Sequence, residues 1–238
     1  MLTTTERPGG SSSPSDLPED PASLRRALAE RIRRPELRTE ADQVLALEPG
    51  RVVALHGGPG SGLTRVGLAL LAEVAKQAPV VAVDTRGWVS PLAAWEVGIA
   101  PERFVVVRVD GPDEWAKAMG TLLDGVRGVY AEVPTGVPEA VLRRVGMAAR
   151  NRRVGLVLRP LRGRVPTGIA HLALSAEGTH WEGTGSGTGH LAERHLAITA
   201  TGKGVAGMER RFEVTDDGAH PLYLVGRMAA PAVRRTAG

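Results

Sequence analysis

From residue 51 to about residue 160, short apolar runs (51–56, 79–84, 104–109, 128–133 and 153–158) alternate with stretches whose apolar positions recur at helical spacing. Phe104-Val-Val-Val and Pro79-Val-Val-Ala-Val show no polar alternation, as expected of parallel strands covered on both faces. Helices of about 12–15 residues fit the intervals after Gly62, Pro112 and Pro138. This alternation predicts an α/β fold with a doubly wound, mostly parallel central sheet. Past about Ala170 the helical spacing stops. His171 to Ala176, Leu191 to Thr199, Arg210 to Thr215 and Leu222 to Val225 read as strands, with Asp217-Gly218 as the turn between the last two. Added C-terminal antiparallel β strands are therefore expected.

The chain before residue 47 follows other rules. Residues 1–19 are Thr, Ser, Pro, Gly and acid with almost nothing to bury, which predicts a disordered leader. Asp20-Pro21 reads as an N-cap with proline at the first helical position, and Leu24, Ala27, Leu28 and Ile32 recur at helical spacing, so 20–46 is expected to be a helical segment. Its apolar stripe is too narrow to fold alone and must dock on its own core or on another chain. Leu24, Leu28 and Ile32 are accordingly candidate partner contacts. The core is expected over 47–228 and a flexible tail over 229–238.

Composition narrows the chemistry. Aromatics make up 3% of a chain that is 42% hydrophobic, so the core must be built from Ala, Val and Leu. The absence of cysteine excludes disulfides, thiolate catalysis and cysteine-based zinc sites. No apolar run approaches the roughly 20 residues that span a bilayer, and the N-terminus lacks a basic-then-apolar signal, so no membrane association and a cytoplasmic location are expected. The net charge of +4 is too small to make the whole surface a nucleic-acid binder. The segment from Ala140 to Ala176 is different, because it holds Arg143, Arg144, Arg150, Arg152, Arg153, Arg159, Arg162 and Arg164 and no acid. A phosphate-tracking basic patch and a merely arginine-rich surface both fit that pattern, and Arg143, Arg144, Arg150, Arg152, Arg153, Arg162 and Arg164 are the DNA-binding candidates.

The most specific chemical signal is strand, glycine loop, helix: Arg51-Val-Val-Ala-Leu-His56 runs into Gly57-Gly58-Pro59-Gly60-Ser61-Gly62-Leu63-Thr64. This is the layout in which backbone N–H groups and a helix N-terminus wrap a polyphosphate. Against the pattern G-x-x-x-x-G-K-[ST], Gly57 and Gly62 hold the glycine positions and Thr64 the magnesium-ligand position, but Leu63 stands where the lysine belongs. The histidines show no spacing that sets two on one helical face as metal ligands, and no Ser-His-Asp or paired-carboxylate arrangement can be assigned. No catalytic residue and no metal site are expected. Trp88 and Trp95 flank a loop and a helix start, where they read as an interface anchor or as packing against the sheet.

The order of parts resembles the RecA-like P-loop fold, and more closely its degenerate ImuA and SulA-like relatives among bacterial translesion-synthesis accessory proteins. The resemblance rests on the glycine loop, on Leu47-Glu-Pro-Gly-Arg-Val-Val, on Val83-Asp84-Thr-Arg-Gly-Trp-Val-Ser-Pro91, on Trp95 to Val107 and on Arg211-Phe-Glu-Val-Thr. It implies that the position matching the water-polarising glutamate holds Arg86, and that Glu132 lies near the metal-holding position of the Walker B strand. Gly57, Gly58, Gly60, Ser61, Gly62, Leu63, Thr64 and Glu132 would then form a vestigial nucleotide site. No cofactor is expected, with weak ATP and magnesium binding left open. The resemblance further implies a non-catalytic accessory subunit of a damage-induced mutagenic polymerase complex, acting by protein contacts and weak DNA binding. Its implied partners are an ImuB-like Y-family polymerase homologue and, through it, an error-prone polymerase complex, a RecA-type protein and DNA. An active RecA-like DNA-dependent ATPase and a SulA-like cell-division inhibitor stay open as alternatives.

Overall fold

The computed structural model describes residues 46–183, 193–216 and 223–227. The chain divides into two units, residues 1–34 and 35–238, and every described residue belongs to the second. The leader, the helix with Leu24, Leu28 and Ile32, the Asp217-Gly218 turn and the tail lie outside the described residues.

The elements follow in the order β1 (Val52–His56), α1 (Leu63–Ala75), β2 (Val80–Asp84), α2 (Pro91–Glu96), β3 (Phe104–Arg108), α3 (Gly111–Gly125), β4 (Gly128–Val133), α4 (Glu139–Asn151), β5 (Gly155–Pro160), β6 (Leu172–Glu182), β7 (Glu193–Gly202), β8 (Arg210–Asp216) and β9 (Tyr223–Arg227). They form one nine-stranded sheet of order β3-β2-β4-β5-β1-β6-β7-β8-β9. Pairing is parallel from β3 across to β6 and antiparallel from β6 to β9. The fold is thus α/β, with a mostly parallel sheet extended by antiparallel C-terminal strands.

The helices divide between the two faces as the direction of travel along the sheet requires. The chain moves one way from β1 through β2 to β3, and α1 and α2 lie with Val53, Leu55, Val80, Ala82 and Tyr130 in one core layer. It then reverses through β4 and β5, and α3 and α4 lie with Val52, Ala54, Val129 and Ala131 in the other. A crossover of constant hand must change faces when the direction reverses. The alternation of Val52 and Ala54 with Val53 and Leu55 along a fully buried strand is why β1 reads as a continuous apolar run.

Each helix buries a stripe that its sequence supplies. In α3, Trp115, Met119 and Leu123 recur every four residues and are buried; in α4, Leu142, Val145, Gly146 and Ala149 do the same at three- and four-residue steps. In α1, a Cβ at Gly67 would stand 2.7 Å from the Tyr130 ring, so this glycine lets the helix lie directly on an aromatic side chain of β4.

A short helix, α2, stands between β2 and β3, started by Pro91 at its N-terminus, in keeping with the helix start expected between Trp88 and Trp95. One feature departs from expectation. Strand β6 runs to Glu182 rather than ending at Ala176, because its far half is polar and exposed and carries no apolar signal. That half is defined by pairing with β7, past an irregularity between Ala176 and Gly178.

Candidate functional site

The glycine loop joins β1 to α1 beside the middle of the sheet. Gly60 and Gly62 have φ of 77° and 75°, a conformation that side-chain-bearing residues rarely adopt. Gly62 caps α1, its carbonyl accepting from the N–H groups of Arg65 (3.1 Å) and Val66 (3.2 Å). Gly57 is required for another reason. A Cβ there would meet Leu63 Cδ1 at 2.7 Å and Ala176 Cβ at 3.1 Å. Leu63 is fully buried in the core layer with α1, so the side chain at the lysine position packs as part of the core. Packing at Gly57 and backbone geometry at Gly60 and Gly62 thus favour glycine with or without a ligand.

Two arginines engage polar side chains close to the loop. Arg159, buried near the end of β5, donates from Nη1 to Thr64 Oγ1. Tyr130 is buried beside this pair, and burial pushes its phenol above the ordinary tyrosine range. Glu132 is fully buried on β4, and Arg86 Nε donates to its two oxygens at 3.1 and 3.2 Å while Nη2 forms an ion pair with Oε1. The Glu132 carboxylate holds Arg86 even more firmly protonated than an ordinary arginine. The Arg86 guanidinium lies 4.4 Å from the ring centroid of Trp88, a cation–π contact.

Asp84, at the end of β2, positions Arg86. Its Oδ1 accepts from the backbone N–H groups of Arg86 (3.1 Å), Gly87 (2.9 Å) and Trp88 (3.2 Å), and its Oδ2 from that of Val89 (3.1 Å). One carboxylate thereby folds the whole 86–89 turn. Magnesium-assisted phosphoryl transfer needs a phosphate clamp, a metal-holding acid and a water-orienting acid. Here the lysine position of the glycine-loop pattern holds an aliphatic core residue, and the buried carboxylate of Glu132 is engaged by Arg86.

His56 ends β1 directly before the loop. It is buried, its Nδ1 has no hydrogen-bond partner, and burial, aided by the charge of Arg164, lowers its pKa to about 4. The folded chain resists a proton that the unfolded chain accepts below pH 6.5, so this contribution is complete above pH 6.5 and is lost as pH falls towards 4. The loss reaches up to about 3 kcal/mol. Urea unfolding of His56→Gln at pH 7 and pH 4.5 should therefore show a smaller acid destabilisation than the wild-type chain; equal losses would remove His56 as the cause.

The arginines of the segment differ in their surroundings. Arg143 pairs with Glu139 and Arg152 with Asp124, acids outside the segment, and Arg150 donates to the carbonyls of Gly168 and Ile169. Arg164 donates to Ser175 Oγ at 3.1 Å. Arg143 and Arg144 lie in the first half of α4, Arg150, Arg152 and Arg153 at its far end, and Arg162 and Arg164 after the opposite end of β5. Arg159, which belongs to the same run in sequence, is buried against Thr64.

Of the other singled-out residues, Trp88 is 66% exposed, whereas Trp95 packs against the α1 and α2 core layer. Arg159 and Asp84 are the site residues to which the sequence alone assigns no role in the site. Arg159 sits within a run of arginines and is told apart only by its burial; Asp84 could have been found as an acid at a strand end before Thr-Arg-Gly, where a turn must be closed.

A glycine loop at the centre of a mostly parallel sheet, with helices on both faces, defines a doubly wound α/β protein. The chain belongs to the family described as the MT3502 N-terminal domain, whose model matches residues 43–166. That match takes in β1 to β5 and leaves the antiparallel strands outside it. No curated protein matches the chain.

Proposed function

We propose that the chain is a non-catalytic, RecA-like accessory subunit of a DNA-damage-induced translesion-synthesis complex, working in the cytoplasm through protein contacts. The observation that carries the non-catalytic part is the replacement of metal and lysine chemistry by internal guanidinium groups. Arg86 neutralises Glu132, Arg159 takes up Thr64, and Leu63 belongs to the core. The order of strands about the glycine loop supports the RecA-like reading. The pathway and the ImuB-like Y-family partner rest on the sequence resemblance alone. DNA contact is secondary in this reading, because the arginines are divided between the two ends of α4 and several are paired.

Trp88 and Leu92 provide the surface. They are 66% and 52% exposed on the segment that Asp84 and Arg86 shape, and an exposed tryptophan on a rigid turn is the kind of anchor on which interfaces depend. In a purified two-component assay, the chain is expected to bind an ImuB-like Y-family polymerase homologue. Trp88→Ala with Leu92→Ala should weaken capture by at least about tenfold, a loss of about 1.4 kcal/mol. Capture of no such homologue, or capture unchanged by the double substitution, overturns the partner reading. Magnesium-dependent ATP turnover that is abolished by Gly57→Val without loss of fold overturns the non-catalytic one.

A further inference from the structure

The paired strands β6 and β7 carry a constellation that has no part in the glycine loop. Their register sets Glu182 opposite Glu193, Trp181 opposite Arg194 and His180 opposite His195. Alternate residues of a strand share a face, so His180, Glu182, Glu193 and His195 occupy one face at the end of the strand pair. Glu213, on the neighbouring strand β8, reaches His195 from the same side, with its Oε1 2.7 Å from Nδ1.

Glu182 and Glu193 thus face each other directly across the strand pair, with His195 beside them. The geometry around His195 provides room for a cation. Its Nε2 lies 3.3 Å from Glu182 Oε1 and 3.7 Å from Glu193 Oε2, and one donor atom from each of the three residues can be chosen within 4.8 Å of the others. Four-coordinate zinc, with bonds of about 2.0–2.1 Å at tetrahedral angles, holds its donor atoms roughly 3.4 Å apart. Hydrogen bonding to Glu213 gives Nδ1 the proton in the neutral ring and turns the Nε2 lone pair towards the two glutamates. A carboxylate behind a metal-binding imidazole fixes the ring and its tautomer in just this way. Glu182 is exposed and the other two are partly buried, so an ion can reach the site from solvent.

We propose that His195, Glu182 and Glu193 bind a divalent transition-metal ion of the zinc class. An imidazole with two carboxylates suits zinc or cobalt, whereas calcium and magnesium call for more oxygen ligands. His180, whose ring centroid is 6.5 Å from that of His195, stands on the same face of the strand pair. The ligands lie on two strands, with only Glu193 and His195 close in sequence, and the two-residue step of a strand rather than the helical step brings them together. The competing arrangement is His195 hydrogen-bonded among the glutamates with no ion.

The test uses the untagged full-length chain, stripped with a chelator and titrated with zinc by calorimetry and with cobalt by visible absorption. One zinc ion per chain and the absorption of a four-coordinate cobalt centre are expected. Glu182→Gln, at an exposed position where folding should be unaffected, should weaken zinc binding by at least about tenfold, and His195→Gln should abolish the site. Absence of zinc binding at micromolar concentration, or binding that Glu182→Gln leaves unchanged, overturns the proposal.

Discussion

Replacing Arg86 by alanine should destabilise the chain by about 3 kcal/mol, at the low end of what breaking a buried ion pair costs because the arginine is itself partly exposed. Glu132 is fully buried and Arg86 supplies its three closest hydrogen bonds, so the variant strands a carboxylate in the core. At roughly 2–4 °C per kcal/mol for a chain of this size, the melting temperature should fall by about 6–12 °C. The companion variant Arg86→Ala with Glu132→Leu separates this effect from lost packing. Removing both charges should restore much of the stability, since a buried ion pair is often matched by an apolar pair of similar volume. A single-variant loss below about 1 kcal/mol would show that water reaches Glu132 and that the pair is only a surface bridge.

The second large effect belongs to Asp84. Asp84→Ala should cost about 3 kcal/mol, because four backbone N–H groups lose one carboxylate and the N–H of buried Val89 has no easy route to water. Asp84→Asn should cost markedly less when its side-chain oxygen takes the Oδ1 position, which serves three of the four donors. Chemical unfolding of the two variants measures the difference, and equal losses would show that charge rather than hydrogen-bond geometry holds the turn. Because Trp88 rides on this turn, Asp84→Ala should also reduce partner capture at temperatures where the chain remains folded. The effects of Asp84 and Arg86 should not be additive, since the Arg86 backbone N–H is one of the groups that Asp84 holds.

Much of the fold is legible from residue order because the parallel strands are buried on both faces. Val52 to Leu55, Val80 to Val83 and Val129 to Ala131 are apolar without interruption, and the helices between them carry clear stripes. The half of β6 beyond Ala176 is not legible in this way, since Thr179, His180 and Glu182 are exposed and gain their strand geometry from β7. The site divides similarly. The glycine-loop pattern singles out Leu63 and Thr64 and the family resemblance Arg86 and Glu132, but nothing in the order of residues says that Arg86 grips Glu132 or that Arg159 reaches Thr64. These contacts join residues 46 and 95 positions apart. A ligand set spread over two strands escapes a search for helical pairs of histidines for the same reason.

The place of β1 in the sheet governs how the chain can fold. Its neighbours on both sides come late: Val52 pairs with Leu156, and Val53 with Leu172. Strands β2, β3 and β4 can associate from residues made close together, and β6 to β9 form a run of antiparallel neighbours, but the central strand waits for more than a hundred residues of chain before either edge is covered. Closure of such distant pairs is slow, and until it occurs an apolar strand presents two open edges to solvent and to other chains. A nascent chain halted before residue 172 would carry that hazard uncovered on at least one side, which makes completion of β6 the step that ends its exposure to aggregation.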